Sequence, residues 1–174
     1  MKKIPLIVAL LFVVQLSNAQ NTCLTATPIT TGGSFVVGTI NVTGGAPSPI
    51  CAPNSTAATA GKWYAYTPSQ NYTVTVTSDL NINAGGDTRF HVYTGVCGAL
   101  TCISGDDDSG VVSQVSAGTG AGTSTYLSVA TFNVMAGTTY YIAWDNRWTA
   151  NGFTFNLSIK YSASFSNLSP RPCC

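Results

Sequence analysis

The sequence contains no glutamate and a single histidine, and only 7% of its 174 positions carry charge. Each scarcity closes off a class of function. Seven Lys and Arg against six acids give no basic patch with which to hold nucleic acid or an anionic membrane surface. Lacking Glu, the chain has no Glu pair for glycoside hydrolysis, although Asp can substitute chemically. One histidine leaves no His-rich metal pattern, and no GxSxG is present to place a serine nucleophile. His91 therefore reads as a structural or surface residue, and the chain as not an enzyme. Sustained helical periodicity is missing too, and no apolar run reaches the ~20 residues of a membrane span.

The first 19 residues stand apart. Lys2 and Lys3 precede the thirteen-residue apolar run Ile4–Leu16, and Ser17-Asn18-Ala19 supplies small residues for cleavage before Gln20. This is the pattern of a secretory signal peptide, and it predicts an extracellular or cell-surface protein with no transmembrane segment in its mature form. The remainder is expected to comprise an N-terminal arm (20–33), one domain (34–161) and a C-terminal tail (162–174). The tail ends at Cys173-Cys174, which reads as an interrupted chain or an intermolecular link. In an exported chain the other four cysteines read as disulfides. Spacing predicts Cys97 with Cys102 across "CGALTC", and Cys23 with Cys51 between the arm and the first loop.

What is abundant is alternation. Tyr72–Thr77 ("YTVTVT") sets Tyr72, Val74 and Val76 on one face and three threonines on the other. Phe153, Phe155, Leu157, Ile159 and Tyr161 alternate in the same way with Thr154, Asn156, Ser158 and Lys160. Further strands are expected at 34–40, 62–67, 88–93, 100–103, 125–134 and 138–145, with a weaker one at 111–115. Gly, Asn, Ser and Pro clusters punctuate them. The class is all-β: an antiparallel two-sheet β-sandwich of jelly-roll or Greek-key type. Two long loops, 44–61 and 116–124, join its parts. Five N-x-Ser/Thr sequons, at Asn41, Asn54, Asn71, Asn156 and Asn167, are coincidences of a Ser- and Thr-rich chain.

Half of the six acids fall in one stretch, "ISGDDDSG" (103–110). Calcium takes six to eight oxygens from carboxylates, carbonyls, amides and water, and flanking Gly105 and Gly110 would let the backbone turn about an ion. Strand alternation predicts Asp106 and Asp108 on one side and Asp107 on the other. Asp87, Asp145 and Asn146 are the expected distant ligands. Two competing readings stay open: an ion pair between Asp87 and Arg89, and a turn at Asp145-Asn146-Arg147 whose aspartate caps backbone N–H groups. Tyr64, Tyr141 and Trp148 are candidates for an outward aromatic platform suited to sugar rings.

"GKWYAYTPSQNYTVTVT", "DTRFHVYTGVCGALTCISGDDDSG" and "AGTTYYIAWDNRWTANGFTFNLSI" resemble a β-sandwich module of secreted Bacteroidota proteins. More distantly they are similar to bacterial pre-peptidase C-terminal domains, across roughly residues 61–160. The resemblance implies an accessory, non-catalytic role in adhesion, binding or folding support. The ligand is expected to be an extracellular glycan or protein. A carbohydrate-binding module of a polysaccharide-degrading system is the alternative.

Overall fold

A computed structural model describes residues 20–41, 43–54, 56–111 and 126–161. Nine strands follow one another: β1 (Thr27–Ile29), β2 (Gly33–Val37), β3 (Gly61–Tyr66), β4 (Tyr72–Thr77), β5 (Arg89–Val96), β6 (Ala99–Asp107), β7 (Val129–Val134), β8 (Tyr140–Asp145) and β9 (Phe153–Lys160). The only helical elements among the described residues are two single-turn 3-10 segments, Cys23–Thr25 and Asn81–Asn83. Two sheets face each other, ordered β1-β3-β8-β5-β6 and β2-β9-β4-β7. Every strand pairing is antiparallel except β1 beside β3. The expected all-β sandwich is thus the fold.

Alternation builds the core. Val74 and Val76 of β4, Phe155 and Leu157 of β9, Phe90 and Val92 of β5, and Ile142 and Trp144 of β8 meet between the sheets. Burying a side chain of this size stabilises by about 1.5–3 kcal/mol against leaving it exposed. Trp144 lies against Phe90, Phe153 and Phe155 with ring centroids 4.7–5.3 Å apart. Tyr64 is 2% exposed, and its hydroxyl donates to the Val36 carbonyl at 2.9 Å. It belongs to this core and to no outward platform, because period two puts it on the Tyr66 face of β3.

The opposite face of the five-stranded sheet is covered as well. Trp63, Tyr93 and Ala143 are buried there, beneath Cys23 and Ala26 of the arm and Cys51 of the long loop, with Leu100 and half-buried Tyr141 beside them. The Trp63 indole N–H donates to the Gly45 carbonyl (2.7 Å), and the Tyr93 hydroxyl to that of Pro49 (2.7 Å). The arm also contributes β1, so structure begins before residue 34.

The disulfides pair differently from the expectation: Cys23 with Cys97 and Cys51 with Cys102. Val96 opposes Ala99, so Cys97 and Gly98 form the turn of the β5–β6 hairpin, and Gly98 adopts φ +99°. Cys102 sits three residues down the returning strand, roughly 10 Å away at ~3.3 Å per residue, too far for a bridge. Each bridge instead fastens one covering segment to the hairpin. Closing loops of 74 and 51 residues restricts the unfolded chain by about 4 kcal/mol apiece in the chain-entropy account.

Strand β6 is longer than its apolar stretch suggests. It runs on through Ser104, Gly105 and Asp106 to Asp107, after a bulge at the register shift opposite Val92 and Tyr93. The acidic run is therefore the end of a strand and not a free turn. Residues 1–19, 112–125 and 162–174, with the leader, the loop 116–124, the strand expected beyond Val111, Asn167 and the terminal cysteines, lie outside the described residues. No helix among the described residues is long and apolar enough to cross a membrane.

Candidate functional site

At one end of the sandwich three segments converge: the β4–β5 connection, the end of β6 and the β8–β9 loop. Asp87 stands two residues before β5, and Asp107 ends β6 opposite Arg89. Asp108 follows with φ +79°, a left-handed conformation that interrupts strand alternation. Asp107 and Asp108 consequently come round together. Asp87, Asp107 and Asp108 each present an oxygen within 4.8 Å of the others. At that separation two full charges repel by about 0.9 kcal/mol in water, and by about 3.5 kcal/mol at an effective dielectric near 20.

Burial first, and like charges second, hold all three carboxyls above their ordinary range. Burial, then the charges of Asp108 and Asp107, push Asp87 up to about 6. Asp107 is raised chiefly by burial, against the opposing influence of the Trp148 hydrogen bond and the Arg89 charge. Burial and its two acidic neighbours raise Asp108. Asp107 is only 9% exposed, and while its Oδ2 accepts from the Trp148 indole N–H at 3.1 Å, its Oδ1 is buried with no partner among the described residues. Asp87 Oδ1 is buried and unpartnered in the same sense. Leaving a carboxylate oxygen dry and unpaired costs on the order of 1–3 kcal/mol or more.

The other expected ligands are engaged elsewhere. Asp106 faces β7: its Oδ2 accepts from the amides of Val129 (2.8 Å) and Ser109 (3.1 Å), and its Oδ1 from the Ser109 hydroxyl (2.6 Å). The predicted partnership of Asp106 with Asp108 fails because the strand ends between them. Gly105 serves the long loop, since a Cβ there would stand 2.7 Å from the Ala52 amide nitrogen. Gly110 would meet the Leu127 carbonyl at 2.6 Å. Asn146 ties down the same loop, its Oδ1 accepting from the Thr59 and Ala60 amides at 3.0 Å each.

Asp145 lies in a separate, solvent-free network. Its Oδ2 accepts from Arg89 Nη2 at 2.7 Å, Arg89 Nε at 2.9 Å and His91 Nε2 at 2.8 Å, with all three side chains buried. Its Oδ1 accepts from the Arg147 amide at 2.9 Å. Arg89 donates onward to the carbonyls of Asn54 (2.7 Å) and Thr56 (2.9 Å). His91 Nδ1 accepts from the amides of Cys51 and Ala52, both at 3.1 Å, so the imidazole is neutral and carries its hydrogen on Nε2. Burial alone would raise Asp145, but the bonds from His91, Arg89 and the Arg147 amide outweigh it and hold the carboxyl below its ordinary range. The ion pair expected between Arg89 and Asp87 is this one with Asp145 instead.

Among the described residues no hydroxyl reaches this His–Asp pair, and both imidazole nitrogens are committed to structure. The network moors Cys51, Ala52, Asn54 and Thr56 to the sheet. Composition gave no sign of it, although the shared parity of Arg89, His91 and Tyr93 placed all three on one face. Sequence also gave no warning of the buried hydroxyl cluster of Ser78, Thr88 and Ser128 behind Asp87. There Ser78 Oγ lies 2.6 Å from Thr88 Oγ1 and accepts from the Ser128 amide at 3.0 Å.

Tyr64, Tyr141 and Trp148 do not form a platform: one is in the core, one beneath the covering segments, one on the rim. Trp148 alone is substantially exposed, at 42%. Its ring carries the Arg147 guanidinium 4.6 Å from the centroid. It also lines a cavity of about 380 Å³ between the β4–β5 connection and the β8–β9 loop. Asp87 belongs to that lining too, so the carboxylate cluster and the cavity share a wall.

No family model matches this chain, and no curated protein does. Among solved structures the chain is similar to the pre-peptidase C-terminal domain of a collagenase from Bacillus anthracis. The match has 14% identity and a TM-score of 0.36, over 78% of this chain and 94% of that domain.

Proposed function

We propose that this chain is a non-catalytic, extracellular accessory module of the adhesion type, whose Asp87–Asp107–Asp108 rim binds a calcium ion. The observation that carries the reading is the pair of buried carboxylate oxygens, Asp87 Oδ1 and Asp107 Oδ1, without partners among the described residues and beside a third carboxylate. Three hard oxygen donors in one place, with neither imidazole nor thiolate among them, suit calcium over zinc. A divalent ion would convert mutual repulsion into attraction and give the dry oxygens their ligand. Backbone carbonyls and water would complete the shell. The buried, structurally committed His91 supports the non-catalytic part, and two disulfides suit an oxidising, extracellular setting.

Extracellular modules bind calcium with Kd of about 0.1–1 mM. At 10 mM calcium, mass action then adds about 1.4–2.7 kcal/mol, or roughly 3–10 °C in the thermal midpoint of a chain this size. Scanning calorimetry in 10 mM CaCl2 and in EDTA checks this. Asp107→Asn and Asp87→Asn should each abolish most of the difference. Coincident melting curves in calcium and chelator would overturn the proposal.

A further inference from the structure

We infer that the cavity beside the carboxylate cluster is a glycan subsite, in which the cation at Asp87, Asp107 and Asp108 coordinates two adjacent hydroxyls of a neutral hexopyranose whose ring rests on Trp148. The inference rests on the calcium reading above and names what that ion is for.

Four observations converge. First, at about 380 Å³ the cavity falls in the range of small-molecule sites, about 300–1,000 Å³. Second, one wall is Asp87, which contributes both to the cavity and to the carboxylate cluster, so an ion held there meets the cavity directly. Calcium keeps exchangeable water in its large shell, and a pair of vicinal hydroxyls replaces two such waters with oxygen donors of the same hardness. Third, the lining also includes Trp148, a flat amphipathic ring already fixed in place beside the carboxylates. Its indole N–H is spent on Asp107 and the Arg147 guanidinium lies over its ring, so little rotamer freedom is left to lose on binding. Fourth, Gly85, Gly86 and Gly152 contribute no side chains to the lining, and a Cβ at Gly85 would meet open space. Room for a polyhydroxylated ring is thereby kept, with the exposed Asn151 at its margin.

Charge narrows the class. Three carboxylates, one divalent ion and the Arg147 guanidinium over Trp148 leave a site of no net charge, since the nearby Arg89 is consumed by Asp145. Such a balance gives an anionic sugar no charge to pair with, and a neutral diol is the fitting ligand.

The test uses the full chain, with calcium affinity measured first by titration calorimetry. Saturation-transfer NMR then follows methyl glycosides of the gluco, galacto, manno and fuco series in 5 mM CaCl2 and in EDTA, with galacturonate and a ring lacking vicinal hydroxyls as controls. At least one neutral glycoside should bind with Kd near 1 mM, the level ordinary ligand efficiency gives for a dozen-atom ligand. Chelator should abolish that binding. Trp148→Ala should weaken it at least tenfold, and Trp148→Phe should retain most of it. Ala84→Trp, which fills the cavity from an exposed lining position, should abolish sugar binding and leave calcium affinity unchanged. Calcium binding with no calcium-dependent glycoside signal would overturn the glycan subsite and leave the calcium module standing. Absence of calcium binding would overturn both. Sugar binding indifferent to EDTA, or preference for galacturonate, would overturn the bridged geometry.

Discussion

Two aspartates set opposite responses to pH. Asp87, raised to about 6 in the folded chain, binds its proton more tightly folded than unfolded. That contribution is complete below the unfolded carboxylate value near 3.8 and is lost as pH rises through about 6. Melted in EDTA, the protein should therefore gain stability as pH falls from 7 towards 5, and saturating calcium should suppress the gain. Asp145 behaves conversely. Its depressed acidity contributes stability that is present above the unfolded value and disappears as pH falls through its own lower one. Below about pH 4 the midpoint should drop steeply. Asp145→Asn leaves Arg89 buried without its counter-ion, an expected loss of about 3–5 kcal/mol measured by urea unfolding. It should also flatten the acid limb.

At the scale of elements, the strands were the most legible part of the sequence. Tyr72–Thr77 declared its faces by alternation, because one side meets the core and the other meets solvent. Phe153–Lys160 did likewise. Lys62–Thr67 was read correctly as a strand, but the side of Tyr64 was not, because both faces of β3 are apolar. A sheet covered on two sides has no polar row by which to tell inside from outside. The acids were misassigned for a different reason. Alternation holds only while the strand continues, and Asp108, at φ +79°, lies just beyond its end. No residue-type signal marks that point. Disulfide connectivity was illegible in principle, since four cysteines allow three pairings. The observed one makes an element-level prediction. Cys51→Ser with Cys102→Ser should cost about 2–5 kcal/mol. It should also loosen the 44–60 cover enough to redshift and quench the emission of Trp63, which now lies 3% exposed beneath it.

Across the whole molecule, function divides by layer. The space between the sheets holds the aromatic and aliphatic core, the outer face of the five-stranded sheet holds the covering segments, and the rim holds the carboxylates and the cavity. Under the proposed function, variants at Asp87, Asp107 and Asp108 should accordingly shift calcium response without loosening the cover, and Asp145→Asn should do the reverse. Limited proteolysis across residues 44–60, run in parallel with calcium titration, separates the two effects.

The β5–β6 hairpin has unlike fastenings at its two extremities. At the tip, Cys97 is locked covalently; some eight residues back, or about 25 Å along an extended strand, Asp107 closes the base beside Asp87. The first fastening needs an oxidant and, under the proposed function, the second needs an alkaline-earth ion. Inside a cell, where both are scarce, the ribbon would be slack at either extremity. Amide exchange along β5 should thus slow in two independent steps, one on oxidation and, under the proposed function, one on adding calcium.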